Sequence, residues 1–206
     1  MVQKIHISTG IIEEMANLVE RGERMLEKKI YLIRHCKATG QEPMAELTDE
    51  GRDKALSLVP LLEKFHIDHI ISSPYKRAVQ TVKPFSESTG IPIIIDDKLQ
   101  ERVLSADPIE DWLEQLERTF IDKDLTFSGG ESSNDALMRI HKALDKIFEN
   151  KQMHHVAIAT HGNILSVLIN YYDPAFGFVQ WQEMKNPDIF VLEQVNGIIY
   201  INPIEQ

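Results

Sequence analysis

Cysteine is nearly missing from this chain: Cys36 is the single one among 206 residues. One thiol excludes an internal disulfide framework and a zinc site built on cysteines alone, and it suits a reducing compartment. Long apolar runs are missing too. No stretch approaches the roughly 18 consecutive apolar residues of a membrane-spanning helix, so no membrane partner is expected. The first residues lack the basic, apolar, small-residue order of a secretory signal, and the expected location is cytoplasmic. Positive charge is in deficit. Twenty-two Lys and Arg face 32 Asp and Glu, a formal net charge of −10, which repels a phosphate backbone and argues against nucleic acid as a partner. Any anionic ligand must therefore be met by a local cluster of basic side chains. Internal repeats, low-complexity tracts and an obvious linker are absent as well.

What is present is ordinary globular material, with 43% apolar and 26% charged residues. The length suits one domain with a sizeable core. Residues 1–28 form a separate amphipathic helical extension: Ile11, Ile12, Met15, Leu18, Val19, Met25 and Leu26 recur at helical spacing. Ser8 and Thr9 stand where a cap is wanted. This stripe either packs on the domain or makes a homodimer contact.

The main domain, 29–206, alternates strands and helices. Lys29–Ile33 is a buried strand. Leu47-Thr48-Asp49-Glu50-Gly51 opens a helix in which Pro60 forces a kink or a break. Residues 68–71 form a short strand, followed by Ser72-Ser73 as a cap with Pro74 in the first helical turn. That helix closes near Gly90, with Pro84 disturbing its later part. Residues 91–95 are a third strand. Asp107-Pro108 introduces a helix bearing Ile109, Trp112, Leu113, Leu116 and Phe120. Ser128-Gly129-Gly130-Glu131-Ser132-Ser133 begins a long helix, and residues 155–159 form another buried strand before another helix. Two final strand-like runs flank Asn196-Gly197, a strong hairpin signal. The expected architecture is α/β, with a mainly parallel central sheet between helices.

Several strand ends share one property. Apolar runs pass directly into Arg34-His35 and His161, and Arg77 follows Ser72-Ser73; Glu101 comes after a further strand. Ligands in open α/β sheets bind beyond the carboxyl ends of the strands. If these strands are parallel neighbours, two imidazoles, two guanidiniums and a carboxylate meet on one edge. Guanidiniums match phosphate oxygens bidentately, a neutral imidazole can act as nucleophile, and a carboxylic acid can protonate a leaving oxygen.

The blocks Arg34-His35, Leu47-Thr48 with Gly51, Ser72-Ser73-Pro74 with Arg77-Ala78 and Gln80-Thr81, Leu99-Gln100-Glu101-Arg102, Gly130-Glu131-Ser132, and Thr160-His161-Gly162-Asn163 stand in a fixed order. Together they make the chain resemble the histidine phosphatase superfamily, the phosphoglycerate mutase-like family, whose fold is a three-layer sandwich. The resemblance implies that His35 takes the phosphoryl group as a phosphohistidine. It implies that Arg34, Arg77 and His161 hold the equatorial oxygens, and that Glu101 is general acid and then base. It implies no metal and no cofactor. Gln41 becomes a phosphate contact, and Lys37, Arg102, Gly162 and Asn163 become substrate contacts.

Departures from the family pattern sit beside the nucleophile. Cys36 replaces the usual glycine, Lys37 a common acidic or amide residue, Ala38 a frequent hydroxyl residue and Gln41 a frequent asparagine. A thiol-based phosphatase reading of Cys36 fails because Glu42 stands where an arginine is required. His66, His69, His141, His154 and His155 have no patterned partners and read as structural or surface residues. Three functions follow in order: a phosphomonoesterase for a small phosphorylated metabolite, a phosphomutase of the cofactor-dependent phosphoglycerate type, and a non-catalytic phosphoester-binding protein. Residues 103–128 contain only Arg118 and Lys123 as cations, without the paired arginines that clamp a substrate carboxylate in the mutases, which favours hydrolysis.

Overall fold

The computed structural model describes residues 28–195 and 198–205. The expected N-terminal helix and the Asn196-Gly197 turn lie outside the described residues. Six strands form one sheet: β1 (Lys29–Arg34), β2 (His69–Ser72), β3 (Ile93–Ile95), β4 (His155–Thr160), β5 (Asp188–Val195) and β6 (Ile198–Pro203). Their spatial order is β3-β2-β4-β1-β5-β6. The pairings β3–β2, β2–β4 and β4–β1 are parallel, and β1–β5 and β5–β6 are antiparallel. The sheet is thus mostly parallel, as expected, with an antiparallel pair of strands along one edge.

Alternation along β1 builds two cores, because successive side chains of a strand point to opposite faces. Ile30 and Leu32, with Val156 and Ile158, pack under α5 (Ser133–Glu149) and α6 (Gly162–Tyr172). Tyr31 and Ile33, with Ala157 and Ala159, pack on the other face under α1 (Asp49–Ser57), α2 (Val59–Glu63) and α3 (Lys76–Thr89). Ile30, Leu32 and Ile33 are fully buried, each contributing about 1.5–3 kcal/mol of transfer free energy. Helices on both faces of the sheet give the three-layer sandwich. Among the described residues the remaining α-helices are α4 (Trp112–Ile121) and α7 (Phe178–Glu183).

Several boundaries differ from the sequence expectation. Pro60 produces a break: α1 ends at Ser57, and α2 restarts with Pro60 in its first turn, where a missing N–H costs nothing. Pro84 leaves α3 continuous through Thr89, and the left-handed Gly90 (φ 74°) closes it. Ser72 and Ser73 do not cap α3; its cap residue is Tyr75 and no side-chain bond closes that end. The helix after Asp107-Pro108 starts only at Trp112, because Asp111 sits at φ 53°. The long helix α5 begins at Ser133, the last residue of the stretch expected to open it. Ser132 forms a capping box with Asp135, and Gly130 lies so close to the Leu104 carbonyl that a Cβ would stand 2.1 Å from its oxygen. That contact holds residues 128–131 as a loop.

Candidate active site

Register places the chemistry. Arg34 pairs with Thr160 across β1–β4, and Ser72 pairs with Ala159 across β2–β4. The next residues on these three adjacent strands are His35, His161 and Ser73. Backbone bonds from His35 N–H to Thr160 O (3.0 Å) and from Ser73 N–H to Ala159 O (2.9 Å) carry the ladder one step further. The convergence anticipated from sequence is therefore a consequence of parallel pairing.

His35 is 6% exposed. Its Nδ1 lies 2.7 Å from the Cys36 carbonyl oxygen, which can only accept, so Nδ1 carries the proton. Nε2 is then a lone pair, and it accepts from Arg77 Nε–H at 3.0 Å. Burial, with the nearby Arg77 and Arg34 charges, lowers the pKa of His35 to about 4, against the raising effect of the Cys36 carbonyl. At neutral pH the imidazole is uncharged and aims its free electron pair at the guanidinium side, the state a nucleophile requires.

Arg77, at the start of α3, is fully buried. Its Nη1 donates to the Gln41 and Glu42 carbonyls at 2.9 and 3.0 Å, while Nη2 is buried with no partner. Arg34 donates from Nη1 to the Met184 carbonyl at 2.7 Å, and its Nε is buried with no partner. His161, the residue before α6, is fully buried and edge-on to His35 at 5.2 Å between ring centroids. Its Nε2 lies 2.8 Å from Ser73 Oγ. That oxygen also accepts from Tyr75 N–H at 3.2 Å, and its hydroxyl proton remains available for Nε2. Burial and the surrounding cations hold the His161 pKa well below the usual value, so the ring is neutral; with Ser73 Oγ–H donating to Nε2, Nδ1 is the N–H. Nδ1 is buried and has no partner. Buried N–H groups are ordinarily paired. Three unpartnered donors on Arg34, Arg77 and His161 form a cradle for an anion with several oxygens.

Glu101 follows a 3-10 turn (Asp97–Leu99) after β3. Its Oε1 accepts from Arg102 N–H (2.9 Å) and Ile164 N–H (3.0 Å), and Oε2 accepts from Asn163 N–H at 3.2 Å. The N-terminal amides of α6 thus orient the carboxylate, leaving Oε2 with the fewer hydrogen bonds. Its charge acts on both Arg34 and Arg77.

The other anticipated residues fall differently. Gly162 opens α6 against Arg34; a Cβ there would stand 2.8 Å from Arg34 Nε. Asn163 has a buried Oδ1 without a partner. Gln41 reaches the site through its carbonyl, and its side chain is exposed. Lys37 is exposed and paired with Glu50 at 2.6 Å. Arg102 is 4% exposed and bonds the Glu131 carbonyl, Thr119 Oγ1 and Ser133 Oγ at 3.0–3.1 Å. It therefore ties the segment after Glu101 to α4 and α5. Burial pushes the Cys36 thiol up to about 11, which leaves it unreactive at neutral pH.

Residues not anticipated as part of the site also enter. Ser73, read as a helix cap, fixes the His161 tautomer. Tyr75 stacks edge-on to His161 at 4.9 Å and lies under the Arg77 guanidinium at the same distance. Asn186 donates from Nδ2 to the His35 carbonyl at 2.9 Å across 151 residues; nothing in Lys185-Asn186-Pro187 marks it. Among the described residues no group of three or more His, Cys, Asp or Glu could hold a metal ion, and no helix is long and apolar enough to cross a membrane.

The family model of the histidine phosphatase superfamily, branch 1, matches residues 30–196. The chain belongs to that superfamily. Curated relatives named "Probable phosphoglycerate mutase GpmB", from Escherichia fergusonii and Salmonella choleraesuis, are each 27% identical over 173 residues, covering 76% of this chain and 79% of theirs. The solved mycobacterial glucosyl-3-phosphoglycerate phosphatase superposes with a TM-score of 0.68 at 20% identity, over 86% of this chain and 97% of that one. Bacillus stearothermophilus YhfR gives 0.69 at 22% identity, over 85% and 96%. These structural likenesses show the fold.

Proposed function

We propose that this histidine phosphatase superfamily member is a metal-independent phosphomonoesterase working through a phosphohistidine on His35. The observation that carries the reading is the neutral His35 Nε2 lone pair beside three buried, unpartnered donors: Arg34 Nε, Arg77 Nη2 and His161 Nδ1. Nε2 attacks phosphorus while the bond to the ester oxygen breaks. A protonated Glu101 gives its proton to that oxygen, and the alcohol leaves. Water then attacks the phosphohistidine, Glu101 takes the water's proton, and the N–P bond breaks to release inorganic phosphate and neutral His35. Arg77 Nε–H, which holds the lone pair at rest, exchanges that bond for a phosphate oxygen as attack begins. The donors stay fixed while negative charge spreads over the transferring group, which is how such cradles lower the barrier.

A mutase uses the same first half-reaction, and the names of the curated relatives favour that second reading. Against it stands the segment covering residues 103–128. Its Arg118 donates to Gln115 at 2.8 Å, and its Lys123 donates to Asn170 at 2.7 Å, so no paired cations await a substrate carboxylate. The test uses phenyl phosphate in metal-free buffer: release of phosphate is expected, with none from His35→Ala. Isomerisation of 3-phosphoglycerate with bisphosphoglycerate, faster than phosphate release, would replace this reading by the mutase.

A further inference from the structure

Helices α4 and α7 meet through aromatic rings. Trp112 lies edge-on to Trp181 at 6.5 Å, Phe178 stacks on Trp181 at 5.5 Å, and Phe120 meets Phe178 at 6.0 Å. Each helix is bonded to a neighbour of the catalytic groups. In α4, Thr119 Oγ1 accepts from Arg102, the residue after Glu101. The chain leaving α7 gives the Met184 carbonyl to Arg34, and Trp181 stands one turn earlier, its own carbonyl accepting from Met184 N–H. The cluster is therefore tied by hydrogen bonds to the residue after Glu101 on one side and, through Met184, to Arg34 on the other.

Two features are unexplained by packing alone. Trp112 is 54% exposed although a second indole lies against it, and the Nε1–H of Trp181 is buried with no acceptor. An open indole and an unpaired donor are what an organic ring with an acceptor would use. The charge of this region limits that ring further. Residues 103–128 carry seven carboxylates, all exposed, against Arg118 and Lys123. Both cations are already engaged, one with Gln115 and the other with Asn170 and the face of Phe120. Fields of this kind reach about 8 Å at physiological ionic strength and repel a second anionic group on the substrate.

We infer that the α4–α7 aromatic cluster is the leaving-group subsite, and that it takes phosphomonoesters whose organic part has a flat apolar face and no negative charge. This rests on the phosphomonoesterase reading. The reporter is built in, because Trp112 and Trp181 are the only two tryptophans of the chain. In the full-length His35→Ala protein, phenyl phosphate should change tryptophan emission saturably, with a Kd at least tenfold below that of 3-phosphoglycerate. In the unsubstituted protein, kcat/KM for phenyl phosphate should exceed that for 3-phosphoglycerate at least tenfold. Trp112→Ala and Trp181→Phe should each reduce that ratio about tenfold, and raising salt should narrow it by helping 3-phosphoglycerate. A ratio near one, or a ratio that neither substitution moves by twofold, overturns the inference. If no ester is hydrolysed, the phosphomonoesterase reading fails, and the emission titration still decides the subsite: absence of phenyl phosphate binding refutes it.

Discussion

Gly162→Ala tests the geometry of the phosphate cradle with one methyl group. The added Cβ would stand 2.8 Å from Arg34 Nε, 2.9 Å from Cζ and 3.1 Å from Nη2. Comfortable contact needs about 3.5–4.0 Å, so the guanidinium must retreat by roughly 0.7 Å or more. It cannot do so freely, because Nη1 is held by the Met184 carbonyl at 2.7 Å. Retreat either breaks that bond or turns Nε away from the phosphate position. Loss of one such donor costs about 2.7–4 kcal/mol of transition-state stabilisation, a factor of roughly 100–1,000 in kcat. The fold should notice little: Gly162 is the first residue of α6, and loss of the Met184 bond costs about 1 kcal/mol. The assay is kcat for phenyl phosphate, read beside Tm and the inhibition constant of vanadate, a five-coordinate phosphorus mimic. Expected are a kcat at least 100-fold lower, vanadate binding weakened to match, and a Tm within about 4 °C, the shift produced by roughly 1 kcal/mol in a domain of this size. The double variant Gly162→Ala/Arg34→Lys should be little worse than Arg34→Lys alone, since the clash and the lost donor are one event. A Gly162→Ala enzyme within threefold of the original, or full additivity in the double variant, would refute the assignment of Arg34 Nε as a phosphate donor.

Further outcomes follow from the same geometry. The His35 pKa falls from 6.5 to about 4 on folding, so below pH 6.5 the unfolded chain binds a proton that the native state refuses. Stability should therefore fall as pH drops from 6.5 to 4, by about 3 kcal/mol at the end of that window, and His35→Gln, followed by chemical denaturation across pH, should lack that component. Ser73→Ala removes the hydroxyl that sets the His161 tautomer; kcat should fall about tenfold or more while stability drops by about 1 kcal/mol, and an unchanged kcat would reject the tautomer assignment. Arg102→Ala strips bonds from Thr119, Ser133 and the Glu131 carbonyl inside the protein. Loss of about 3–5 kcal/mol is expected from several buried acceptors left unpaired, visible as a Tm decrease of some 6–20 °C; a normal Tm with a raised KM would instead make Arg102 a substrate contact.

Much of this site was legible before any coordinates. The apolar runs ending in Arg34-His35 and in Thr160-His161 identified strands by composition and placed basic residues at their carboxyl ends. Leu47-Thr48-Asp49-Glu50-Gly51 was a local signal, and Thr48 caps the helix that this stretch opens. Readings failed where a short-range preference met a longer-range demand. Ser73 had every property of a helix cap, yet the neighbouring strand β4 brought His161 to it, and the hydroxyl serves the imidazole. Arg102 stood next to Glu101 and invited a substrate role, but the chain turned its guanidinium toward residues 17 to 31 positions away. Asn186 could not be found at all, because an amide in a loop has no pattern of its own.

The sequence by itself determined the inventory: the run of strands, the family, and the five side chains proposed to carry the phosphoryl chemistry, since residue type and period are local properties. Only the tertiary structure decided their states. Parallel pairing of β2, β4 and β1 put His35 and His161 within 5.2 Å, and burial together with the crowding of cations made both rings neutral. The Cys36 carbonyl turned the lone pair of His35 outward, and packing left three donors without partners. Protonation, tautomer and the unpaired N–H all depend on what lies a few ångströms away through space, and that distance is set by the fold.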